Sequence, residues 1–304
     1  MKYIFESNNL CKYYGKFKAV DGLNMMIPEG SIYGFVGKNG AGKTTLMRLL
    51  CGLQRPTKGS YRLMGYSDTD PELSRVRRKL GAVVEAPAIY KDMSAYDNLK
   101  LQYINVGMPS FKGINELLEQ VGLKDVGKKK VKNFSLGMKQ RLGIAVALCG
   151  HPDFLVLDEP INGLDPQGII EIRELILKLN REQGITILIS SHILDELAKL
   201  ATHYGFIDHG KMVRQMSAGE LERECRKSVR MKVDDTRVLS EIMERRGIEY
   251  RIIDEKTADV FSNMRFSEIA ADFADKGSDI ISMEEHDESL EAFFISLLGG
   301  DQNA

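Results

Sequence analysis

The sequence predicts an α/β fold with a parallel sheet, an inserted helical subdomain, and a small α+β domain at the carboxyl end. Three observations support this prediction. Apolar, strand-length segments alternate with helical segments up to about residue 215, which is typical of a parallel sheet covered on both faces. From Asn98 to about Gly150, apolar residues recur at helical spacing. After Ala218 the pattern becomes strand, helix, strand, strand, helix, strand and helix, the order of a ferredoxin-like unit with one added helix.

The length and composition fit two folded domains. The chain has 304 residues, and a domain takes roughly 150. We expect a first domain at 1–220, which includes the helical subdomain at about 87–150, and a second domain at 221–304. With 43% hydrophobic and 28% charged residues, the composition excludes disorder, collagen-like repeats and a coiled-coil rod.

Charge, hydropathy and cysteine content narrow the possible partners. The 42 Lys and Arg residues balance the 43 Asp and Glu residues, so we expect no nucleic acid partner. The basic stretches at 75–79 and 128–132 are interpreted as solvated surface, with nucleic acid or lipid headgroups as the alternative.

Neither a membrane-length apolar run nor a secretion signal is found, which predicts a cytoplasmic location. The four widely spaced cysteines argue against disulfides, zinc and iron–sulfur clusters.

The elements of the amino-terminal part are short strands separated by turns. A strand is predicted at Ile4–Leu10, a turn at Tyr13–Lys16, and a second strand at Leu23–Ile27. A third strand, Ser31–Val36, leads directly into a glycine-rich loop, which is followed by a helix beginning near Lys43.

The later elements alternate between helices and strands. Two fully apolar strands are predicted at Phe154–Leu157 and Ile185–Ile189, with one helix near Gly168–Glu182 and another after His192. In the second domain, strands are expected at Val229–Val233, Tyr250–Ile253, Ala258–Phe261 and Asp279–Met283, and helices at Val238–Arg246, Phe266–Lys276 and Ser289–Leu298.

The glycine-rich loop matches the phosphate-binding pattern G-x-x-x-x-G-K-[ST]. Its glycines let backbone N–H groups turn toward one anion at the start of a helix. Lys43 is expected to reach the β- and γ-phosphates, and Thr44 to offer its hydroxyl to Mg²⁺. The predicted ATP-binding residues of the loop and the first helical turn are Gly37, Lys38, Asn39, Gly40, Ala41, Gly42, Lys43, Thr44 and Thr45. The pattern and its strand and helix context predict a P-loop NTPase core.

Two carboxylates stand at the end of the apolar strand Phe154–Leu157. Ligands of open α/β folds collect at this edge of the sheet. Asp158 suits the coordination shell of Mg²⁺, and Glu159 is placed to orient or deprotonate the attacking water. An acidic strand end by itself is more often a helix cap or a turn, but beside a phosphate loop it predicts the second half of a nucleoside triphosphatase site.

A short segment before this strand distinguishes among such ATPases. Phe134–Arg141 resembles the L-S-G-G-Q signature of the ABC ATPase family. The matching residues are Ser135, Leu136, Gly137 and Met138, ahead of a helix predicted at Lys139–Leu148. The resemblance implies that Ser135 and Gly137 contact the γ-phosphate of ATP bound by a partner subunit. It therefore implies an ATP-dependent dimer, either a homodimer or a pair of related ATPase subunits.

Further motifs of the family follow in order. Asn162–Asp165 resembles the D-loop, and His192 resembles the switch histidine that contacts the γ-phosphate and the attacking water. Tyr14 takes the position of the aromatic residue that stacks on adenine, although Tyr13 and Phe17 are neighbouring alternatives. The resemblance thus implies that Asp165, His192 and Tyr14 belong to the site.

Two positions depart from the family pattern. Glu85 stands where the family usually has glutamine, in the loop between the sheet and the helical insert. A carboxylate facing the γ-phosphate at about 4 Å costs roughly 4 kcal/mol, so Glu85 is expected to face Mg²⁺, its water or a partner group. Glutamate at this place resembles the bacitracin-resistance and lantibiotic-immunity branch of ABC exporters. Leu136 and Met138, which replace glycine and glutamine of the signature, are compatible with that branch.

The resemblance covers about 1–220 and implies the ATP-hydrolysing subunit of an export transporter for antimicrobial peptides or drugs, with ATP and Mg²⁺ as cofactors. A separate permease is expected to hold it at the inner face of the membrane and to contact the loop Glu85–Tyr96. The alternative is an ABC ATPase that acts on a ribosomal, DNA or cell-division partner. A binding module with an inactive ATPase is disfavoured, because Lys43, Thr44, Asp158, Glu159 and His192 are all present.

Overall fold

The computed structural model describes residues 2–225, 228–261, 266–286, 293–295 and 297. The chain forms two compact units, Met1–Ala218 and Gly219–Ala304. The helix predicted at Ser289–Leu298 lies for the most part outside the described residues. In the described part of the chain, no helix is both long enough and apolar enough to span a bilayer.

An antiparallel sheet opens the first unit. Its strands, in spatial order, are β2 (Phe17–Pro28), β1 (Tyr3–Tyr14), β4 (Lys58–Leu63) and β5 (Tyr66–Ser67). The hairpin of β1 and β2 is longer than the predicted strands Ile4–Leu10 and Leu23–Ile27. Register shifts within this pairing break the alternation of apolar and polar residues, so the pattern shows only part of each strand.

A six-stranded sheet forms the centre of the same unit. In chain order its strands are β3 (Ile32–Val36), β6 (Leu80–Val83), β7 (Phe154–Asp158), β8 (Thr186–Ser191), β9 (His203–Asp208) and β10 (Lys211–Ser217). The spatial order is β10-β9-β3-β8-β7-β6, and all neighbours are parallel except β9 and β10. Every residue of β3, β7 and β8 is buried, which explains why these strands are rich in apolar residues, and the buried polar side chains of β7 and β8 are Asp158, Thr186, Ser190 and Ser191.

Helices flank and connect these strands. They are α1 (Lys43–Leu50), α2 (Leu73–Val76), α3 (Ala95–Val106), α4 (Ile114–Gln120), α5 (Leu136–Leu148), α6 (Pro166–Gln183), α7 (Leu194–Ala198) and α8 (Ala218–Glu224). The helix predicted to start at Lys139 starts three residues earlier, so that start was wrong. The reason is Ser135, whose hydroxyl accepts the backbone N–H of Met138 and caps α5 at its true first turn.

The core of the first unit joins both sheets to α1. Its buried side chains come from β1, β2, β3, β7 and β8 and from the helix itself, and they include Phe5, Leu23, Phe35, Leu46, Leu49, Phe154 and Leu188. Burying each side chain of this size contributes about 1.5–3 kcal/mol to folding. The phosphate loop, which lies between β3 and α1, is therefore anchored at both ends by this core.

In the described residues of the second unit, the helices α9 (Thr236–Arg246) and α10 (Phe266–Asp275) accompany a four-stranded antiparallel sheet, and α8 lies at the start of the unit. The strands are β11 (Ser228–Val233), β12 (Tyr250–Ile252), β13 (Thr257–Val260) and β14 (Ile280–His286). The spatial order β12-β13-β11-β14 is that of a split βαβ unit. Met231 and Val260 of the sheet, Leu239 and Met243 of α9, and Phe273 of α10 share one buried cluster.

Candidate functional site

The loop between β3 and α1 is shaped by its glycines. Gly40 and Gly42 have left-handed backbones, with φ of 83° and 110°. A Cβ atom at Gly42 would lie 2.3 Å from the carbonyl oxygen of Ala19, and one at Gly37 would lie 2.7 Å from that of Ile207. Only glycine fits at these two places, because the loop passes directly against neighbouring backbone.

Lys43, the first residue of α1, turns its ammonium group back under this loop. Its Nζ donates to the carbonyl oxygen of Gly37 at 2.6 Å and to that of Lys38 at 3.3 Å, and lies 3.6 Å from Oε1 of Glu159. The side chain is only 6% exposed. A buried ammonium group held mainly by neutral carbonyls, at the start of a helix, is a strong site for a further anion.

The end of β7 is joined to the same loop by Thr44. Its hydroxyl donates to Oδ2 of the buried Asp158 at 2.8 Å. On the other side, the Ser190 hydroxyl donates to Oδ1 of Asp158 at 2.6 Å and accepts the backbone N–H of Glu159 at 2.9 Å. Ser190 was missed by the sequence reasoning. Only the register of the sheet could have identified it, because Ser190 lies opposite Asp158 in the parallel pair of β7 and β8.

Glu159 and His192 come together beside Lys43. Oε2 of Glu159 lies 2.6 Å from Nδ1 of His192, and the backbone of Glu159 is left-handed, with φ of 50°. A non-glycine residue in this conformation is strained, and such residues cluster at functional sites. The carboxylate thus contacts an imidazole with one oxygen and faces the ammonium group with the other.

Lys43, Thr44, Asp158 and Glu159 line one cavity of about 230 Å³, and His192 contacts Glu159 without lining it. Its wall consists of Phe17, Ala19, Lys38, Asn39, Gly40, Gly42, Lys43, Thr44, Thr45, Asp158 and Glu159. The structure therefore brings the loop, the first turn of α1 and the two carboxylates into a single pocket that can hold a phosphate chain.

Tyr14, the residue predicted to stack on adenine, does not line that pocket. Tyr14 is 43% exposed, its hydroxyl donates to Oε1 of Gln54, and the ammonium group of Lys12 lies 5.4 Å from its ring centre. The hydroxyl of Tyr13 donates to Asp21 at 2.8 Å, so that ring is held by its own contacts. Phe17, 61% exposed, lines the phosphate pocket itself.

Glu85 is not brought to Thr44 and Asp158. It pairs with Arg48 of α1 and does not line the pocket. The hydrogen bond with Glu85 is the main cause that raises the pKa of Arg48. In this structure the carboxylate of Glu85 therefore faces Arg48, and its predicted place toward Mg²⁺ stays a prediction.

The signature and D-loop residues also lie away from the pocket. Ser135 is exposed at the start of α5, and Leu136 is 48% exposed. Asp165 caps α6, where its Oδ1 accepts the backbone N–H of Gly168 at 3.3 Å. The first turn of α5 thus presents a hydroxyl and a helix amino end to solvent, an arrangement that suits an anion bound by another molecule.

The donor set suits Mg²⁺ held together with phosphate. Thr44 and Asp158 offer hard oxygen atoms at one edge of the pocket. Among the residues that the structure describes, no group of three or more His, Cys, Asp or Glu side chains could hold a metal by itself. Mg²⁺ is usually bound by one or two protein oxygens together with substrate phosphates and water, so the residues present fit it.

Comparisons with known proteins agree with this geometry. The family model described as ABC transporter matches residues 20–162. The chain is 40% identical over 303 residues to the bacitracin transport ATP-binding protein BcrA of Bacillus licheniformis, which covers 99% of both chains. It is 49% identical over 205 residues to the lantibiotic transport ATP-binding protein SrtF of Streptococcus pyogenes, which covers 67% of this chain and 87% of the relative.

The solved structures that this chain resembles include ATP-binding cassettes of ABC transporters. A dimeric ATP-binding cassette in a post-hydrolysis state, bound to ADP and Pi, has a TM-score of 0.64 and 26% identity, covering 70% of this chain and 98% of that one. The protein cbiO1 of Clostridium perfringens, part of an ABC transporter complex, has a TM-score of 0.66 and 27% identity, covering 81% and 96%. The predicted α/β fold with a P-loop nucleotide-binding core is confirmed by these matches.

Proposed function

The chain belongs to the ABC transporter family, and we propose that it is the ATP-hydrolysing subunit of an exporter that confers resistance to antimicrobial peptides. The observation that carries the proposal is the single pocket in which Lys43, Thr44, Asp158 and Glu159 converge, with His192 on Glu159. The match to a bacitracin transport protein over 99% of both chains supports the exporter and its substrate class. The alternative, action on a ribosomal, DNA or cell-division partner, is not favoured.

Each residue of the pocket has a role in hydrolysis under this proposal. Lys43 and the N–H groups of the loop bind the β- and γ-phosphates. Glu159 accepts a proton from the attacking water or orients it, while His192 holds the carboxylate in place through the contact between Nδ1 and Oε2. Thr44 and Asp158 would hold Mg²⁺, which supplies charge neutralisation at the phosphate oxygens when bound.

The second half of each site is proposed to come from a partner ATPase subunit. Ser135 and Gly137 stand at the exposed start of α5, away from the pocket of their own chain. Two copies arranged head to tail would each offer this helix end to the ATP of the other. The chain therefore works as an ATP-dependent dimer, as a homodimer or with a related subunit, like the dimeric cassettes that it resembles.

A separate permease completes the transporter. The relatives are named transport ATP-binding proteins, which supports a separate chain that forms the path for the exported peptide. We place this subunit at the cytoplasmic face of the membrane, where its helical insert and the loop Glu85–Tyr96 would meet the permease.

The proposal is tested by purification of tagged Glu159→Gln protein from detergent-solubilised native membranes, with and without Mg-ATP. Loss of the carboxylate should slow hydrolysis and trap the ATP-bound dimer. Recovery of a multi-span membrane protein would support the exporter. Recovery of ribosomes, DNA or only soluble proteins would contradict it, while an undiminished turnover would contradict the role of Glu159. Lys43→Ala, which should not bind ATP, is the matched control.

A further inference from the structure

The loop after β6 carries a carboxylate that is paired with a cation on α1. Oε1 of Glu85 accepts a hydrogen bond from Nη2 of Arg48, in the last turn of the helix. The side chain of Arg48 is 33% exposed and that of Glu85 is 58% exposed. The ion pair therefore connects the helix that follows the phosphate loop to the segment that leads into the helical insert.

The backbone holds Glu85 in a conformation that most residues avoid. Its φ is 65°, and the N–H of Ala86 donates to the carbonyl oxygen of Val84 at 2.9 Å, which makes a tight three-residue turn. A non-glycine residue in this region is strained and persists only where its surroundings determine it. The contact with Arg48 supplies such a constraint at the tip of the turn.

Arg48 also lies near the groups that are proposed to bind ATP. It follows Thr44 by four residues, so the two side chains share one face of α1 with Cβ atoms roughly 5–6 Å apart. The hydroxyl of Thr44 contacts Asp158. The pKa of Arg48 is raised mainly by its hydrogen bond with Glu85, and Tyr14 raises it further. Arg48 thus pairs with Glu85 and shares a face of α1 with Thr44, the residue assigned to Mg²⁺.

We propose that Arg48 is a positioning residue that neutralises Glu85 and thereby permits a carboxylate in the loop after β6, close enough to the phosphate pocket for its charge to act on ATP. The inference rests on the proposed function, because it concerns ATP binding at the same site. Without Arg48, the charge of Glu85 would repel the phosphates. For an assumed separation of about 8 Å between Glu85 and a phosphate, and an effective dielectric of about 20, this repulsion corresponds to roughly 30-fold in affinity, and screening by salt reduces the expected loss to about tenfold.

The test is a double-mutant cycle on the full-length chain. ATP affinity is measured calorimetrically in the wild type, in Arg48→Ala, in Glu85→Gln and in the double variant. We expect Arg48→Ala to weaken ATP binding about tenfold, and Glu85→Gln in the same chain to restore it, because no charge is then left to repel. Arg75→Ala removes an arginine from a surface ion pair with Glu72 and should leave ATP affinity unchanged.

The outcomes separate this inference from the proposed function. Equal ATP affinity in Arg48→Ala and the wild type would overturn it, as would a loss that Glu85→Gln fails to restore. Arg48→Gln, which keeps most of the side-chain length, replaces the alanine variant if the latter does not fold. If the wild type itself binds no ATP, or binds it as well after Lys43→Ala, the proposed function fails, and the inference fails with it.

Discussion

Ser190 shows how much of the pocket depends on one residue outside the motifs. Its hydroxyl bonds both Oδ1 of Asp158 and the backbone N–H of Glu159. Ser190→Ala leaves both groups short of one hydrogen bond, and an unsatisfied buried group costs about 1–3 kcal/mol. We expect a lower melting temperature and a several-fold higher Mg²⁺ concentration for half-maximal ATPase activity, because the carboxylate is no longer held toward Thr44.

The neighbouring Ser191 provides the control for this prediction. It is equally buried, but its hydroxyl bonds the backbone of Ile193 and not the carboxylates. Ser191→Ala should destabilise the fold by a similar amount without moving the Mg²⁺ dependence. Identical Mg²⁺ titrations of the two variants would show that the hydroxyl of Ser190 does not position Asp158.

The aromatic residues near the pocket should separate adenine binding from phosphate binding. Phe17 lines the phosphate pocket, whereas Tyr14 lies outside it. Because a stacked ring contributes about 0.5–1.5 kcal/mol, Tyr14→Ala should weaken ATP binding roughly 2- to 12-fold and leave inorganic triphosphate unaffected. Phe17→Ala, which alters the wall of the pocket, should weaken both ligands.

Competition binding against a fluorescent ATP analogue measures both effects. Tyr14→Phe keeps the ring and is expected to bind ATP like the wild type. An equal loss of ATP and triphosphate affinity in Tyr14→Ala would remove Tyr14 from the adenine site and favour the alternative aromatic residues.

At the scale of the element, the start of α1 depends on two glycines in different ways. A Cβ atom at Gly42 would meet the carbonyl oxygen of Ala19 at 2.3 Å, whereas a Cβ atom at Gly40 would meet no atom within 4 Å. Gly40→Ala therefore adds only backbone strain, about 1–2 kcal/mol. Gly42→Ala adds the same strain and must also displace the loop, so we expect ATP binding to fall at least 100-fold.

Calorimetry with ATP and thermal melts of both glycine variants test this difference. The expected pattern is a modest loss of stability in Gly40→Ala with most of the affinity kept, and near-complete loss of affinity in Gly42→Ala. Similar affinities in the two variants would contradict the geometry of the loop.

Elements were predictable where one local signal dominates. The mostly apolar segments predicted β7 and β8 nearly at their observed bounds, because strands that are buried on both faces are rich in apolar residues. The start of α9 was missed by two residues, since Asp235 caps the helix before its first apolar residue. No local pattern predicted β9 and β10, because glycine, charged and polar residues interrupt their apolar residues.

The residues of the site also fall into two groups, those in contiguous motifs and those that meet only in the folded chain. The loop Gly37–Thr44 and the pair Asp158 and Glu159 are contiguous, so their chemistry can be derived from the sequence. The contacts of Ser190 with Asp158 and of Arg48 with Glu85 join separate elements. Such pairs depend on sheet register and loop course, which a single sequence does not contain.

At the scale of the whole molecule, the second unit carries its own buried charge cluster. Asp259 of β13 is fully buried and accepts hydrogen bonds from Arg230 and Arg251. Burial alone would raise the pKa of Asp259, but the bonds from the two arginines outweigh it and lower the pKa. The folded pKa is therefore below the unfolded value of about 3.9, so the carboxylate stabilises this unit above that pH.

We expect this stabilisation to disappear as the pH falls from about 4 through the folded pKa of Asp259, because protonation removes the charge that the arginines bind. Since the chain contains no tryptophan, Tyr250→Trp on β12 gives a fluorescent probe that reports on the second unit alone. Urea unfolding followed with this probe should show a decreasing midpoint below about pH 4.

Asp259→Asn identifies the group responsible for this pH dependence. The variant keeps the size of the side chain but offers the arginines no charge, so its midpoint at neutral pH should be lower than that of the probe-bearing parent and should change less on acidification. Tyr66→Trp on β5 reports on the first unit, and Asp259→Asn should not alter its transition. If the parent and Asp259→Asn lose stability equally between pH 5 and 3, other carboxylates control the acid sensitivity of the second unit, and Asp259 makes no net contribution to it.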